Sequence, residues 1–216
     1  RKTQGDGAWP RMQKPLSVAD AMQHLVVPGG FEVQLVASDP DIKKPIAMAW
    51  DERGRLWIAE TLDYPNRVLP PGEAGRDRIV ICEDTNADGH MDKFTVFADG
   101  LNLPTSFTFS HGGVLVHQMP NTLFLQDTDG DGRADLREVI MTGWGRSDTH
   151  AGPNNLQYGL DNWIWGMLGY SGFAGSVGGQ AFSFRQGFYR FRPAGSQLEF
   201  LRATNNNTWG LGLTEE

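Results

Sequence analysis

Two stretches of the chain place oxygen-bearing side chains at alternate positions ahead of a glycine. The first is Asp84-Thr-Asn86-Ala-Asp88-Gly89-His-Met-Asp92, and the second is Asp127-Thr-Asp129-Gly-Asp131-Gly132-Arg-Ala-Asp135-Leu-Arg-Glu138. A hard cation such as calcium takes about six to eight oxygens at once. Side chains at positions 1, 3 and 5 converge on it, and glycine at position 6 allows the sharp turn. The second stretch carries the full pattern, with Glu138 at position 12. In the first, position 12 is Thr95, so Asp92 has to carry more of the load, or the site is weaker or completed from elsewhere. The flanks read as strands rather than helices, which keeps the loop chemistry and rejects the EF-hand fold. Acidic turns without a metal are the plain alternative. Two such turns at equivalent places favour two calcium sites, with ligands Asp84, Asn86, Asp88 and Asp92 in one and Asp127, Asp129, Asp131, Asp135 and Glu138 in the other.

A third constellation is Asp148-Thr-His150-Ala-Gly-Pro153-Asn154-Asn155. A neutral imidazole titrates near physiological pH and can accept a proton from a substrate. On residue type alone, a lone histidine is more often a satisfied or exposed side chain. His90, His111 and His24 take that plain reading, while His117, at a strand end, has a possible approach to a central channel.

These groups must be held by something, and internal repetition shows what. Pro45, Pro104 and Pro153 each open a segment with an aromatic five residues on, Gly or Asn nine on, Leu or Ile eleven on and an apolar residue twelve on. The segments predict strand, tight turn, strand, with Gly54, Gly113 and Asn162 at the turn position that needs positive φ. The starts lie 59 and 49 residues apart, and the two acidic loops start 43 apart. Each unit therefore supplies two hairpins, the content of a four-stranded propeller blade. The predicted fold is all-β: a β-propeller segment of about three and a half blades, expected to come from a six-bladed parent, with a short N-terminal helix. Residues 1–28 form an arm and that helix, and 29–216 form the partial propeller, expected to stop inside a blade. A strand is expected over Phe31–Ala37. The repeat aromatics Trp50, Trp57, Phe109, Tyr158 and Trp165 are assigned first to the core, and Tyr64, Tyr170 and Phe173 to ligand contact.

Composition narrows the function classes. A net charge of −7 and the lack of a Lys/Arg stripe exclude a nucleic-acid surface. No apolar run approaches a transmembrane span. The single cysteine, Cys82, forms no intrachain disulfide and reads as a small core residue.

Gly30-Phe31-Glu-Val-Gln-Leu-Val-Ala, Leu56-Trp57-Ile-Ala-Glu60, His150-Ala-Gly with Leu156-Gln-Tyr-Gly-Leu-Asp161, and Asn206-Asn207-Thr-Trp209-Gly210 resemble the soluble quinoprotein glucose and sorbosone dehydrogenases. The order of these motifs is closer still to the N-terminal propeller of the planctomycete and verrucomicrobial membrane-bound dehydrogenases. Those carry a later c-type haem domain with a CxxCH site. The resemblance implies a calcium-containing six-bladed propeller that oxidises a sugar or alcohol hydroxyl with pyrroloquinoline quinone. It implies His150 as general base, Asn207 as a cofactor contact, and the absent haem domain as electron acceptor. The family's Arg-Asn pair is Asn206-Asn207 here, so the arginine is missing and Arg185 is the substitute nominated for it. Calcium sites of extracellular type and the lack of disulfides point to a bacterial periplasm or exterior. Set against an enzyme are a calcium-stabilised module that binds glycan or protein without turnover, and a purely structural repeat.

Overall fold

A computed structural model describes residues 14–70 and 72–214. The only helix among them is α1 (Val18–Gln23), capped by Ser17, whose Oγ accepts from the Asp20 amide. Residues 1–13 of the expected arm lie outside the described residues. The expected strand over Phe31–Ala37 is not formed. That segment instead lies across the first acidic loop, with Met91 N donating to Val36 O at 2.9 Å and Val36 and Ile42 packed on Leu56, Ile58, Val80 and Cys82.

Three four-stranded antiparallel sheets follow. The first is β1 (Pro45–Trp50), β2 (Leu56–Glu60), β3 (Asp77–Glu83) and β4 (Lys93–Leu101), in that order. The second is β5 (Pro104–Ser110), β6 (Gly113–Gln118), β7 (Asn121–Gln126) and β8 (Leu136–Thr142), again in sequence order. The third is β9 (Pro153–Tyr158), β10 (Ile164–Leu168), β13 (Gly187–Phe191) and β14 (Leu198–Ala203). A two-stranded hairpin, β11 (Phe173–Val177) and β12 (Gln180–Phe184), is inserted between its second and third strands.

The three proline-led segments open the three sheets, as the repeat predicts. Their turns differ in detail. Gly54 and Asn162 take positive φ (75° and 60°), but in the second unit the left-handed pair is His111-Gly112 (49° and 75°). Positive φ at both central residues suits the right-handed twist of a two-residue hairpin. Gly113, the expected turn residue, instead begins β6, where a Cβ would lie 2.5 Å from Leu125 O. Two of the hairpins share a lock that the repeat pattern does not reveal. Asp51 accepts from Trp57 Nε1 at 2.9 Å, and Asp161 accepts from Trp165 Nε1 at 3.0 Å.

Apolar side chains meet where the sheets face one another. Trp57, Ile79, Ile81 and Phe97 pack on Phe107, Val114, Val116 and Leu125 between the first and second sheets. Leu115, Met119, Met141 and Trp144 pack on Leu156, Ile164, Tyr189 and Phe191 between the second and third. The first strands lie side by side, with Leu156 N donating to Ser106 Oγ at 3.3 Å across β5 and β9. This is a partial, unclosed propeller-like arrangement with three sheets. The expected further half-blade is not built: Thr208–Leu211 is not a strand, although its carbonyls accept from the Asn154 and Gln157 side chains of β9.

Two aromatics assigned to the core are not buried. Trp50 is 53% and Tyr158 42% exposed, because Trp50 lies on the outer face of the first sheet, which no further sheet covers, and Tyr158 lines an open groove between the first two sheets. Phe109, their counterpart in β5, does pack, edge-on at 5.3 Å from Trp57. Cys82 is fully buried, and burial pushes its thiol up to about 11, so it behaves as a core residue.

Candidate functional site

Antiparallel alternation sorts the connections onto two ends of the molecule. The first-to-second and third-to-fourth hairpin turns share one end. The second-to-third connections and the links between sheets share the other. The acidic loops belong to the first end, and the link 143–152 bearing His150 belongs to the second.

That link is a strap fixed on several sides. Gly143 and Trp144 amides donate to Pro120 O, Trp144 Nε1 donates to Thr122 Oγ1 at 2.8 Å, and Arg146 Nη2 donates to Leu69 O at 2.9 Å. Gly145 N donates to Gly172 O at 2.8 Å, and a Cβ at Gly145 would stand 1.9 Å from Ser171 O. Gly145→Ala therefore has to part the strap from the inserted hairpin. The expected result is a loss of about 1–3 kcal/mol, the usual cost of overpacking, with faster amide exchange along 143–152 than in β9, read by hydrogen–deuterium exchange.

At the end of the strap, Asp148 Oδ1 accepts from His150 N at 2.8 Å and from His150 Nδ1 at 2.9 Å. Its other oxygen accepts from Tyr170 OH, and Ser171 Oγ donates to Asp148 O at 2.8 Å. The Tyr170 hydroxyl, then the His150 amide and ring, hold the Asp148 carboxyl below the usual carboxylate range, and the same bond pushes the Tyr170 phenol up. Tyr64 meets the His150 ring edge-on at 5.1 Å.

The loop carrying Tyr64 is anchored by buried acids. Burial works to raise the Asp63 carboxyl, but the Arg76 amide and guanidinium (2.9 and 2.7 Å) and the Asn102 amide outweigh it and hold it low. Asp77 accepts from the Asp63 and Leu103 amides at 2.7 and 2.6 Å, and burial still pushes its carboxyl up.

His150 and Asn207 line one cavity of about 320 Å³, together with Thr61, Tyr64, Thr149 and Trp209. Arg185 is not on its wall: it is exposed and donates to Tyr170 O at 3.5 Å. Of the three aromatics assigned to ligand contact, Tyr64 lines the cavity, Tyr170 holds Asp148, and Phe173 is buried against Trp144. His117 does not reach a channel. It is fully buried between the second and third sheets, bonded to Thr122 Oγ1 at 2.9 Å and Tyr189 OH at 2.6 Å. Asp148 is part of the constellation read from sequence but carries no role there, and the Asp63–Asp77 anchor escapes a motif-based reading. The spacing Asp-x-His was the available signal for the first. The second depends on loops folding back together.

In the second acidic loop, ligand atoms of Asp127, Asp129 and Asp131 all lie within 4.8 Å of one another. Asp127 caps the Gly130 and Gly132 amides at 2.6 and 2.8 Å, and these bonds hold its carboxyl low against the opposing pull of burial. The first loop repeats the design: Asp84 caps the Asp88 and Gly89 amides, and Asn86 and Asp88 cap the next turn. Asp92 and Asp135 close their loops on Thr85 and Thr128. Glu138 lies within β8 opposite Phe124 and is not one of that group of three.

The chain belongs to the family described as Domain of unknown function (DUF7133), which matches residues 17–216. No curated protein matches it. Among solved structures it is similar to a proposed oxidoreductase (glucose dehydrogenase) of Thermus thermophilus, at 19% identity and a TM-score of 0.36. The likeness covers 57% of this chain and 39% of that one, so the chain matches well under half of that protein's length. No helix among the described residues is long and apolar enough to cross a membrane.

Proposed function

We propose that the cavity at His150 binds a hydroxyl of a sugar or alcohol and that His150 accepts its proton, as part of a glucose/sorbosone dehydrogenase-like oxidoreductase. The observation that carries this reading is the meeting of His150 and Asn207, distant in sequence, on one cavity wall. Because Nδ1 is engaged by Asp148, Nε2 is the nitrogen left for substrate. Thr61, Thr105, Thr149 and Asn207 supply hydrogen-bonding groups, and Tyr64 and Trp209 supply ring faces for the apolar side of a sugar.

The quinone suggested by the resemblance is a different matter. Pyrroloquinoline quinone carries three carboxylates, and no Lys or Arg lines this cavity among the described residues. Its residues therefore do not fit the anionic edge of that group. What this chain supplies is hydroxyl binding and proton acceptance. The hydride leaving the substrate carbon would have to pass to a two-electron oxidant of the quinone class that this cavity wall does not itself anchor. A c-type haem domain is proposed only as the acceptor that takes the electrons on from it, one at a time. Calcium in the two acidic loops is proposed as a structural ion at the opposite end, filled in a bacterial periplasm or outside the cell.

A second reading, glycan binding without turnover, is favoured by the mainly apolar wall of Ile46, Leu103, Pro104, Tyr64 and Trp209. The test assays a panel of neutral sugars and alcohols with calcium and an added quinone oxidant, alongside calorimetric binding. The expected result is turnover that His150→Ala lowers about 10²–10⁴-fold, the usual worth of a general base. Binding that survives with no turnover in the native chain would select the binding module.

A further inference from the structure

The third sheet differs from the other two in one respect. Its second and third strands are joined through the β11–β12 hairpin, where the second sheet has only the turn Met119-Pro120. The root of that hairpin lies against the strap that carries His150. Tyr170 and Ser171 lie one residue ahead of β11, and both bond to Asp148, one to its carboxylate and one to its carbonyl. Arg185, just after β12, reaches back to Tyr170 O. The hairpin itself is anchored. Phe173 and Trp144 pair across the strap and stack edge-on at 4.6 Å, and Ala174 N donates to Gly143 O at 2.9 Å.

We infer that the inserted hairpin is a positioning element for His150: at its root Tyr170 fixes the Asp148 carboxylate and Ser171 holds the Asp148 backbone carbonyl, and Asp148 in turn holds the imidazole with Nδ1 protonated and Nε2 toward the cavity. The inference rests on the reading of His150 as proton acceptor. It goes further in assigning Asp148, Tyr170 and Ser171 as positioning residues and in giving the insertion a purpose. A carboxylate that is free to rotate can offer either oxygen, or neither, to the ring. Here one oxygen is taken by the phenol and the carbonyl is held by the serine, so only Oδ1 is presented to His150. Orienting a histidine by a carboxylate fixes both the ring's rotation and its tautomer, and neither is available to a histidine on an unsupported loop.

The tautomer is the direct readout, and it requires no turnover. Nitrogen-15 NMR of the His150 ring, above its titration range, is expected to show the Nδ1–H form in the native chain. Tyr170→Phe should shift the ratio toward Nε2–H by several-fold, and Asp148→Asn should shift it further. Ser171→Ala tests the second anchor. Unchanged amide exchange in β9 would show that these variants remain folded. Where turnover is present, kcat should fall with KM unchanged, and by at least about 10²-fold for Asp148→Asn. A native ring in the Nε2–H form, or a ratio that none of the three variants moves, overturns the inference. Inactivity of the native chain would count against the dehydrogenase reading alone, since the tautomer is measured independently.

Discussion

Lowering the pH from 6 to 4 is expected to cost this fold about 2–3 kcal/mol through one buried histidine. His117 is fully buried, and burial pushes its pKa down from 6.5 to about 3. Its surroundings contain no charge to offset this: the ring meets Thr122, Trp144, Tyr189 and Phe191. The unfolded chain therefore binds a proton below about pH 6.5 that the folded chain refuses until about pH 3. Stability is full above the unfolded value and falls by about 1.4 kcal/mol per pH unit across that window. Asp51 and Asp63, both held low, add stability that is present above the ordinary aspartate value of 3.8 and is lost as the pH falls below it, and Asp77, held high, works in the opposite sense just above that value. Urea unfolding at a series of pH values is the measurement. His117→Gln keeps a polar partner for Tyr189 but cannot titrate, so it should be less stable at neutral pH and lack the slope between pH 6 and 4. An equal slope in that variant would remove His117 as the cause.

The same residue shows where sequence and structure part. Strand periodicity places His117 at the end of an apolar run, and a strand end in a propeller can face a channel. What decides its place is Tyr189, some seventy residues on, whose hydroxyl waits for the ring. No local pattern contains that pairing. The repeat, by contrast, is local in each copy. A proline, an aromatic and a turn residue at fixed offsets are enough to predict three sheet-opening hairpins, and all three form. Burial of the aromatics was less legible, because it depends on what lies beside each sheet. Phe109 has a sheet in front of it, and Trp50 does not. The site divides in the same way. His150 and Asn207 could be nominated from motif order, and they share a cavity. Asp148 lies two residues from His150 and is local, but Tyr170 and Ser171, which hold Asp148 in place, emerge only once the inserted hairpin is folded back onto the strap.

The two candidate sites also lie on opposite ends of the molecule, which separates their expected effects. A cation held at the third-to-fourth hairpins can tighten each sheet, but it cannot supply a ligand to a molecule beside His150. Calcium dependence of folding and dependence of chemistry on His150 are thus independent tests.

Calcium added to chain stripped of divalent ions is expected to raise the melting temperature. Three carboxylates with ligand atoms within 4.8 Å repel one another, and in the second loop the cost is met only in part by the amides that Asp127 and its neighbours cap. A carboxylate has about four lone-pair sites, so each can keep its amide and still face an ion. An ion that binds only the folded loop stabilises it by about 1.4 kcal/mol at ten times its Kd, so two loops together give roughly 3 kcal/mol. Three carboxylates fall short of the roughly six to eight oxygens calcium takes, so carbonyls, water or the remaining acids of the loop would complete the shell, which suits an affinity on the order of 10⁻⁴–10⁻³ M. Asp127→Asn and Asp84→Asn should each remove about half of the calcium-dependent gain, and the double variant should remove nearly all of it. Calcium should leave the His150 ring signals unmoved. A melting temperature indifferent to calcium and to chelation in the native chain would reduce both loops to capped acidic turns, with Asp127 and Asp84 serving their glycine amides and nothing more.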